Sequence, residues 1–421
     1  MPPKKASPKK SAVVHSPKRK SSDDHSTDEP KSKTMKTSQW KDLGEGLFVW
    51  SSENSIQPRK KLAGFDLDGT LITTKSGKVF ATGASDWQFL YPEVPNKLKD
   101  LYNKEDFRVV IFTNQGGVSK GKVNFGEWQK KVEDIVKKIG IPMHVFVATD
   151  KGMNRKPCPG MFHTYAKDFN GGIEVDMKNS VFVGDAAGRP ASATQKKKDF
   201  SLADRLFALN CGLPFKTPEE FFLNRKPEKY EITSFDPKAY LADVAAGKIV
   251  LLSPAVPLSP ASQEVIVLVG LQGSGKSHFA REYLKAGSYV HINRDTLKTW
   301  QKCVAATDKA LQEGKSVVVD NTNPDKESRD RYISLAKKYH VPCRCFVFTT
   351  SIEHAQHNNT FREIIDPTHD VVPEMVYRMW KGKYTSPTVS EGFSEVVQVQ
   401  FIPKFTSKEH EELYSMFLME K

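Results

Sequence analysis

The 421-residue sequence predicts two consecutive α/β domains. Three observations carry that prediction. Short apolar runs repeatedly end in a carboxylate or a glycine turn, with amphipathic segments between them, the pattern of mostly parallel sheets covered by helices. A complete phosphate-binding loop follows one such run in the second half of the chain. The length also exceeds what one core fills, because single cores rarely grow past about 250–300 residues. The predicted organisation is a disordered basic tail over 1–45, a first domain over 46–228, a linker over 229–262 and a second domain over 263–421.

Residues 1–36 carry ten lysines and arginines against four acids and almost no large apolar side chains. Such a segment cannot repay the entropy of ordering. Its clusters Lys4-Lys5, Lys9-Lys10 and Lys18-Arg19-Lys20, with Ser7-Pro8 and Ser16-Pro17 beside them, read either as a nuclear-import signal or as a solvated tail that brushes a polyanion. Phosphorylation at the Ser-Pro sites would reduce the positive charge. Across the whole chain 63 basic residues face 50 acidic ones, and the net +13 favours polyanionic partners, nucleic acid first. Five cysteines without metal-ligand spacing exclude a disulfide framework or a zinc finger and suit a reducing compartment. The absence of an 18-residue apolar run and of a secretory leader predicts a soluble intracellular protein with no membrane role.

The first domain is organised around Lys61-Leu62-Ala63-Gly64-Phe65-Asp66-Leu67-Asp68-Gly69-Thr70-Leu71, an apolar strand ending in two carboxylates and a glycine. Alternation along a strand points Asp66 and Asp68 the same way, into a loop that Gly69 lets turn tightly. Two carboxylates at that spacing can share a divalent cation, or divide labour as nucleophile and proton donor; the alternative is a simple turn. Three further segments follow in order: Val109 to Asn114, a buried-type strand carrying Thr113; Arg155-Lys156-Pro157; and Val181-Phe182-Val183-Gly184-Asp185. Lys156 is suited to neutralising charge that develops on a phosphate. Asp199 and Asp204 further on could support a metal shell. Lys196-Lys197-Lys198 reads as a solvated loop or as a nucleic-acid contact.

These four segments resemble the haloacid dehalogenase-like phosphatases, whose first motif is Asp-x-Asp-x-Thr at the end of the first sheet strand. The resemblance implies that Asp66 forms an aspartyl-phosphate with Mg²⁺, Asp68 acts as acid and then base, Thr113 and Lys156 hold the phosphate, and Asp66, Asp68 and Asp185 belong to the metal site. The gaps between Leu71 and Val109 and between Gly117 and Arg155 leave no room for a large cap, so an open site suited to a large substrate is expected.

In the second domain Val265-Ile266-Val267-Leu268-Val269 runs into Gly270-Leu271-Gln272-Gly273-Ser274-Gly275-Lys276-Ser277. The backbone of Gly270, Gly273, Ser274 and Gly275 would cradle phosphates, Lys276 would reach the β/γ oxygens, and Ser277 would hold Mg²⁺, with ATP as the phosphoryl donor. Asp295, at the end of the run from Tyr289, is either a general base towards an acceptor hydroxyl or the cap of a helix beginning at Thr296. Asp320 ends a third strand. Arg362 is a candidate lid arginine, or a packing residue on a surface helix. Trp300 could stack on a base or belong to the core. No His-Arg-Asp catalytic loop and no Asp-Phe-Gly are present, so a protein acceptor is not expected.

A capless aspartate phosphatase followed by a P-loop NTPase-like kinase, with Asn293-Arg294-Asp295-Thr296-Leu297 and Asp320-Asn321-Thr322-Asn323, is similar to the eukaryotic polynucleotide kinase 3′-phosphatase family over residues 46–421. The resemblance implies a monomeric nuclear enzyme that removes 3′-phosphates and phosphorylates 5′-hydroxyls at DNA breaks, alongside other strand-break repair proteins. Animal members carry an N-terminal forkhead-associated domain, for which the first 45 residues are too short and too polar. An RNA-end healing enzyme, a nucleic-acid scaffold with degenerate sites and a metabolite phosphatase–kinase fusion are the alternatives.

Overall fold

The structure, a computed structural model, describes residues 39–53, 55–191, 197–232, 235–259, 261–284, 287–366 and 368–420. The expected tail up to residue 38 and Lys196 of the basic loop lie outside the described residues.

Two sheets organise the chain. The first is built from β1 (Gln39–Asp42), β2 (Leu47–Ser51), β3 (Lys61–Phe65), β6 (Phe107–Asn114), β7 (His144–Ala148), β8 (Val181–Val183) and β9 (Phe215–Lys216), while β4 (Ile72–Thr73) and β5 (Gln88–Phe89) form a small separate hairpin. Its order is β1-β2-β7-β6-β3-β8-β9. The strands from β7 to β9 are parallel, and β1 and β2 add an antiparallel edge. Alternation divides the core between the two faces: Ala63, Phe65, Val109 and Ile111 face one apolar cluster, and Leu62, Val110 and Phe112 the other.

The helix Phe125–Ile139 shows how local sequence builds this layer. Asn124 caps it by accepting from the Glu127 amide, Gly140 at φ +76° ends it, and Trp128, Val132, Ile135, Val136 and Ile139 form its buried stripe. Between Leu71 and Phe107 lie only the hairpin and the helix Val94–Asn103, so no large cap domain stands beside this sheet.

The second sheet comprises β10 (Leu252–Ser253), β11 (Val265–Val269), β12 (Tyr289–Asn293), β13 (Ser316–Asp320), β14 (Cys343–Phe348) and β15 (Glu395–Val399), in the order β10-β15-β14-β11-β13-β12. All pairs are parallel except the β10–β15 edge. Strand β11 is fully buried, with Val265, Val267 and Val269 facing one cluster and Ile266 and Leu268 the other. Among the described residues no helix is long and apolar enough to cross a membrane.

Two expected boundaries are corrected. Residues 39–42, assigned to the tail, form strand β1 because Trp40 anchors them: its indole donates to Glu133 Oε1 at 2.8 Å and its ring meets Trp50, Phe125 and Trp128. Residues 229–262, expected to be a bare linker, contain a helix at Pro237–Ala245 and strand β10. Tyr240 holds that helix in place, donating to the Phe401 carbonyl at 2.5 Å and packing its ring 4.4 Å from His354.

His354 and His357 sit buried on the helix Ile352–Ile365, under Phe235, Tyr240 and Tyr414. Burial lowers the imidazole of His354 to about 3 and that of His357 to about 4. Below about 6.5 the unfolded chain therefore binds protons that the folded chain refuses, and stability falls as pH drops from 6.5 towards 4. In thermal denaturation at stepped pH, the His354→Gln/His357→Gln variant should show a shallower loss between pH 7 and pH 5 than wild type; equal slopes would contradict this.

Candidate active sites

Strand order brings the first site together. Because β3 lies between β6 and β8, with Phe65 opposite both Ile111 and Val183, the carboxyl ends of three strands present Asp66, Thr113 and Asp185 side by side. This is where ligands bind in open parallel sheets. The Asp66 amide donates to the Val183 carbonyl at 2.9 Å and locks the first carboxylate to β8. Gly69, at φ +86°, lets the following turn pass so close that an added Cβ would lie 2.5 Å from Asp185 Oδ2.

Lys156 is the centre of the site. Its ammonium, 2 % exposed, donates to Asp66 Oδ1 at 2.7 Å and to Asp204 Oδ1 at 2.6 Å. The Asn114 side chain brackets its backbone, donating to the Lys156 carbonyl at 2.9 Å and accepting from the Lys156 amide at 3.0 Å. Burial alone would lower the lysine, but Asp204 and Asp66 outweigh it and the net direction is up.

Asp66, Asp185 and Asp204 form the carboxylate cluster, with one oxygen of each within 4.8 Å of the others. Burial pushes Asp66 up to about 7 against the pull of Lys156. Asp185 is pushed well above the carboxylate range, first by burial and then by Asp204 and Asp66. With one ammonium for three carboxylates, Asp66 and Asp185 are pushed towards their protonated forms, and a divalent cation would favour the ionised ones. The donor set, all oxygen, fits Mg²⁺.

Asp68 is a correction: it is not part of this cluster. Its Oδ2 accepts from Gln115 Nε2 at 2.8 Å and its Oδ1 from Lys131 Nζ at 3.2 Å, and its side chain is half exposed. Asp204, in the first turn of the helix Ala203–Cys211, takes the third place, with Oδ2 accepting from the Ala186 amide at 3.0 Å. Asp199 is drawn instead to Arg189, which donates to it at 2.9 and 3.1 Å. Thr113 is buried, and its hydroxyl accepts from Gln115 Nε2 at 3.1 Å, so Gln115 joins Thr113 to Asp68. Gln115 and Lys131 carried no motif signal.

The second site is a cleft of about 920 Å³ whose lining includes Gly273, Gly275, Lys276, Ser277, Asp295, Asp320 and Arg362. Gly270 sits behind it, its amide donating to the Thr322 carbonyl at 3.1 Å, and the Ser274 side chain is buried. Gly275 adopts φ +95°, and an added Cβ would meet the Phe401 ring at 2.5 Å. The Lys276 ammonium is turned back onto the loop, donating to the Leu271 carbonyl at 2.7 Å. Burial lowers it to about 8, only partly offset by Asp320 and Asp295.

Asp320 Oδ2 is held by His291 Nε2 at 3.0 Å and Asn293 Nδ2 at 2.9 Å. Its Oδ1 is buried without a protein partner. Burial would raise this carboxylate, but hydrogen bonds from His291 and Ser277 lower it. An ionised carboxylate with one orphaned oxygen, beside Ser277 and facing the cleft, fits a hydrated Mg²⁺.

Asp295 does not cap its helix. Asn293 does, accepting from the Asp295 and Thr296 amides at 2.7 and 3.4 Å, and the Asp295 carboxylate lines the cleft. Arg362 also faces the cleft rather than a packing surface, and burial together with Arg281 lowers its guanidinium. Trp300 is on the rim, 40 % exposed, with the Arg331 guanidinium 4.1 Å over its ring.

Residues 61–222 match the polynucleotide kinase 3 phosphatase family, and residues 265–308 and 297–387 match an AAA domain. A bifunctional polynucleotide phosphatase/kinase of Schizosaccharomyces pombe is 38% identical over 363 residues, 86% of this chain and 85% of that protein. The chain belongs to the bifunctional polynucleotide phosphatase/kinase family. It pairs a haloacid dehalogenase-like phosphatase domain with a P-loop kinase domain. Polynucleotide 3′-phosphatases of Arabidopsis thaliana and Saccharomyces cerevisiae match less than half of the chain. The former is 35% identical over 44% of this chain and 27% of its own length, the latter 29% over 38% and 85%.

The ion pairs of Lys156 yield a stability prediction. In metal-free buffer at pH 8, Lys156→Met should destabilise by roughly 3–5 kcal/mol, because it leaves buried carboxylates unpaired. Adding Asp204→Asn should recover part of the loss in urea denaturation. A single variant as stable as wild type would contradict the charge balance described.

Proposed function

We propose that the chain is a bifunctional end-processing enzyme that hydrolyses 3′-phosphate termini in residues 39–228 and phosphorylates 5′-hydroxyl termini with ATP in residues 235–420. One observation carries this reading: a carboxylate–lysine cluster and a complete phosphate loop, each at the carboxyl end of its own parallel sheet, occur in one chain. The polynucleotide substrate is supported by the likeness to the bifunctional polynucleotide phosphatase/kinase of Schizosaccharomyces pombe, by the +13 charge and by the small hairpin and single helix where a large cap could stand.

In the first site Asp66, Asp185 and Asp204 would hold Mg²⁺, which when bound neutralises the cluster and the phosphate. An Asp66 oxygen attacks phosphorus, the bond to the 3′-oxygen breaks, and Asp68 donates a proton to that oxygen. Water then attacks the aspartyl-phosphate while Asp68 takes its proton back, releasing inorganic phosphate and Asp66. Lys156 and Thr113 hold the phosphate oxygens throughout. Gln115 and Lys131 fix the side chain of Asp68 for both proton transfers.

In the second site Ser277 and Asp320 would hold Mg²⁺, which when bound screens the β- and γ-phosphates. Asp295 takes the proton of the 5′-hydroxyl, its oxygen attacks the γ-phosphorus of ATP, and the bond to the bridging oxygen breaks to leave ADP. Lys276 leaves the Leu271 carbonyl for the phosphates, and Arg362 stabilises the transferring group. The basic clusters of the first twenty residues support a nuclear place in DNA strand-break repair.

A nicked duplex bearing 3′-phosphate and 5′-hydroxyl termini, incubated with ATP and Mg²⁺, tests the reading. Wild type should convert both ends. Asp66→Asn should lose 3′-dephosphorylation alone, and Lys276→Ala should lose 5′-phosphorylation alone, each by at least about a thousandfold. Wild type that acts on RNA ends and leaves DNA ends untouched would replace the DNA reading with RNA-end healing.

A further inference from the structure

We infer that the C-terminal segment Tyr414–Glu420 is a shared positioning element that braces both sites, with Tyr414 acting on the phosphate loop and Asn210 receiving the segment at the phosphatase site. The inference rests on the two-site reading above and adds a role for residues outside the catalytic set proposed there.

On the kinase side Tyr414, buried at the end of the helix Lys408–Tyr414, donates its hydroxyl to Asn358 Oδ1 at 2.7 Å. Asn358 Nδ2 donates to the Gly273 carbonyl of the phosphate loop at 2.9 Å. His354 Nε2 meets the Tyr414 hydroxyl at 2.8 Å, and His357 Nε2 meets its carbonyl at 2.9 Å, so the tyrosine is held at both ends. The Gly273 carbonyl of the loop is thereby tied to the helix Ile352–Ile365 through Asn358.

Three residues further on, the chain crosses to the other site. Asn210 accepts from the Phe417 amide at 2.9 Å and donates to the Phe417 carbonyl at 2.8 Å, as a neighbouring strand would. The same Asn210 amide donates to the Pro157 carbonyl at 2.9 Å, one residue past Lys156. The Glu420 carbonyl accepts from the Leu202 amide and from the Ser201 hydroxyl, each at 2.9 Å, two and three residues before Asp204. Glu420 Oε1 accepts from Arg155 Nε at 2.5 Å, one residue before Lys156. Phe417 fills the gap by packing on Leu202 and Leu206.

Both partners of the Lys156–Asp204 ion pair are therefore tied from outside to one short strap. The Arg155–Pro157 turn and the Ala203–Cys211 helix belong to different parts of the first domain, and the strap fixes the distance between them. Supporting groups of this kind set the orientation of a site without joining its chemistry.

The test uses the full-length protein, p-nitrophenyl phosphate and a 3′-phosphorylated oligonucleotide for the phosphatase, and ATP with a 5′-hydroxyl oligonucleotide for the kinase. Asn210→Ala should lower phosphatase kcat on both substrates by on the order of tenfold with KM and kinase turnover unchanged. It should also raise amide exchange within Ala203–Cys211. Tyr414→Phe should do the reverse, lowering kinase kcat and leaving the phosphatase intact. Wild-type turnover on each substrate gauges the two-site reading itself, so a loss confined to a variant bears on the strap alone. Unchanged kcat at the assigned site, or both activities falling together in step with Tm, would overturn the inference.

Discussion

The buried excess of negative charge at the end of β3 is the constraint on which the first half of the molecule depends. Asp66, Asp185 and Asp204 are brought within 4.8 Å of one another, and a single ammonium answers them. Such an arrangement is unstable by itself, because burial and the neighbouring carboxylates raise both Asp66 and Asp185. It survives because rigid elements over-determine it: two strands flanking β3, a glycine turn that no larger residue could make, and an asparagine clamp on the lysine backbone. What that rigidity preserves is a buried, all-oxygen donor set beside one ammonium.

The second half solves the opposite problem with the same topology. There the phosphate loop follows the central strand β11, and Lys276, Asp320 and Asp295 line one cleft with it. Lys276 is held on the Leu271 carbonyl and Lys156 between two carboxylates, so each site carries a buried lysine tied to its own loop or cluster. Both sites lie at the carboxyl ends of parallel strands. The chain can therefore remove a phosphoryl group in one domain and add one in the other without sharing a catalytic group.

Much of this was legible in the sequence, for a definite reason. Asp66, Thr113, Lys156 and Asp185 follow strands or a turn in a fixed order, and the glycines around Lys276 and Ser277 have no other ready explanation. Contacts that depend on tertiary packing were not legible. Asp204 is a first-turn acid of a helix, where a carboxylate is expected for dipole reasons alone, and nothing in its spacing reveals that it reaches Lys156. The position of Asp68 outside the cluster follows from Gln115 and Lys131, which approach it from elements 47 and 63 residues away. Strand β1 was hidden because Trp40 lies among polar residues, and the strap at Phe417–Glu420 because two hundred residues separate it from Asn210 in the chain.

The central claim is that Asp66 becomes covalently phosphorylated while Asp68 moves the proton, and it is tested most directly by trapping. A 3′-³²P-labelled oligonucleotide would be mixed with wild-type enzyme and Mg²⁺, quenched in acid within milliseconds, digested, and the labelled peptide sequenced by mass spectrometry. Label on Asp66 in wild type, absent from Asp66→Asn, is the predicted result. Label on Asp68 or another residue, or burst kinetics with no protein-bound phosphate, would contradict it.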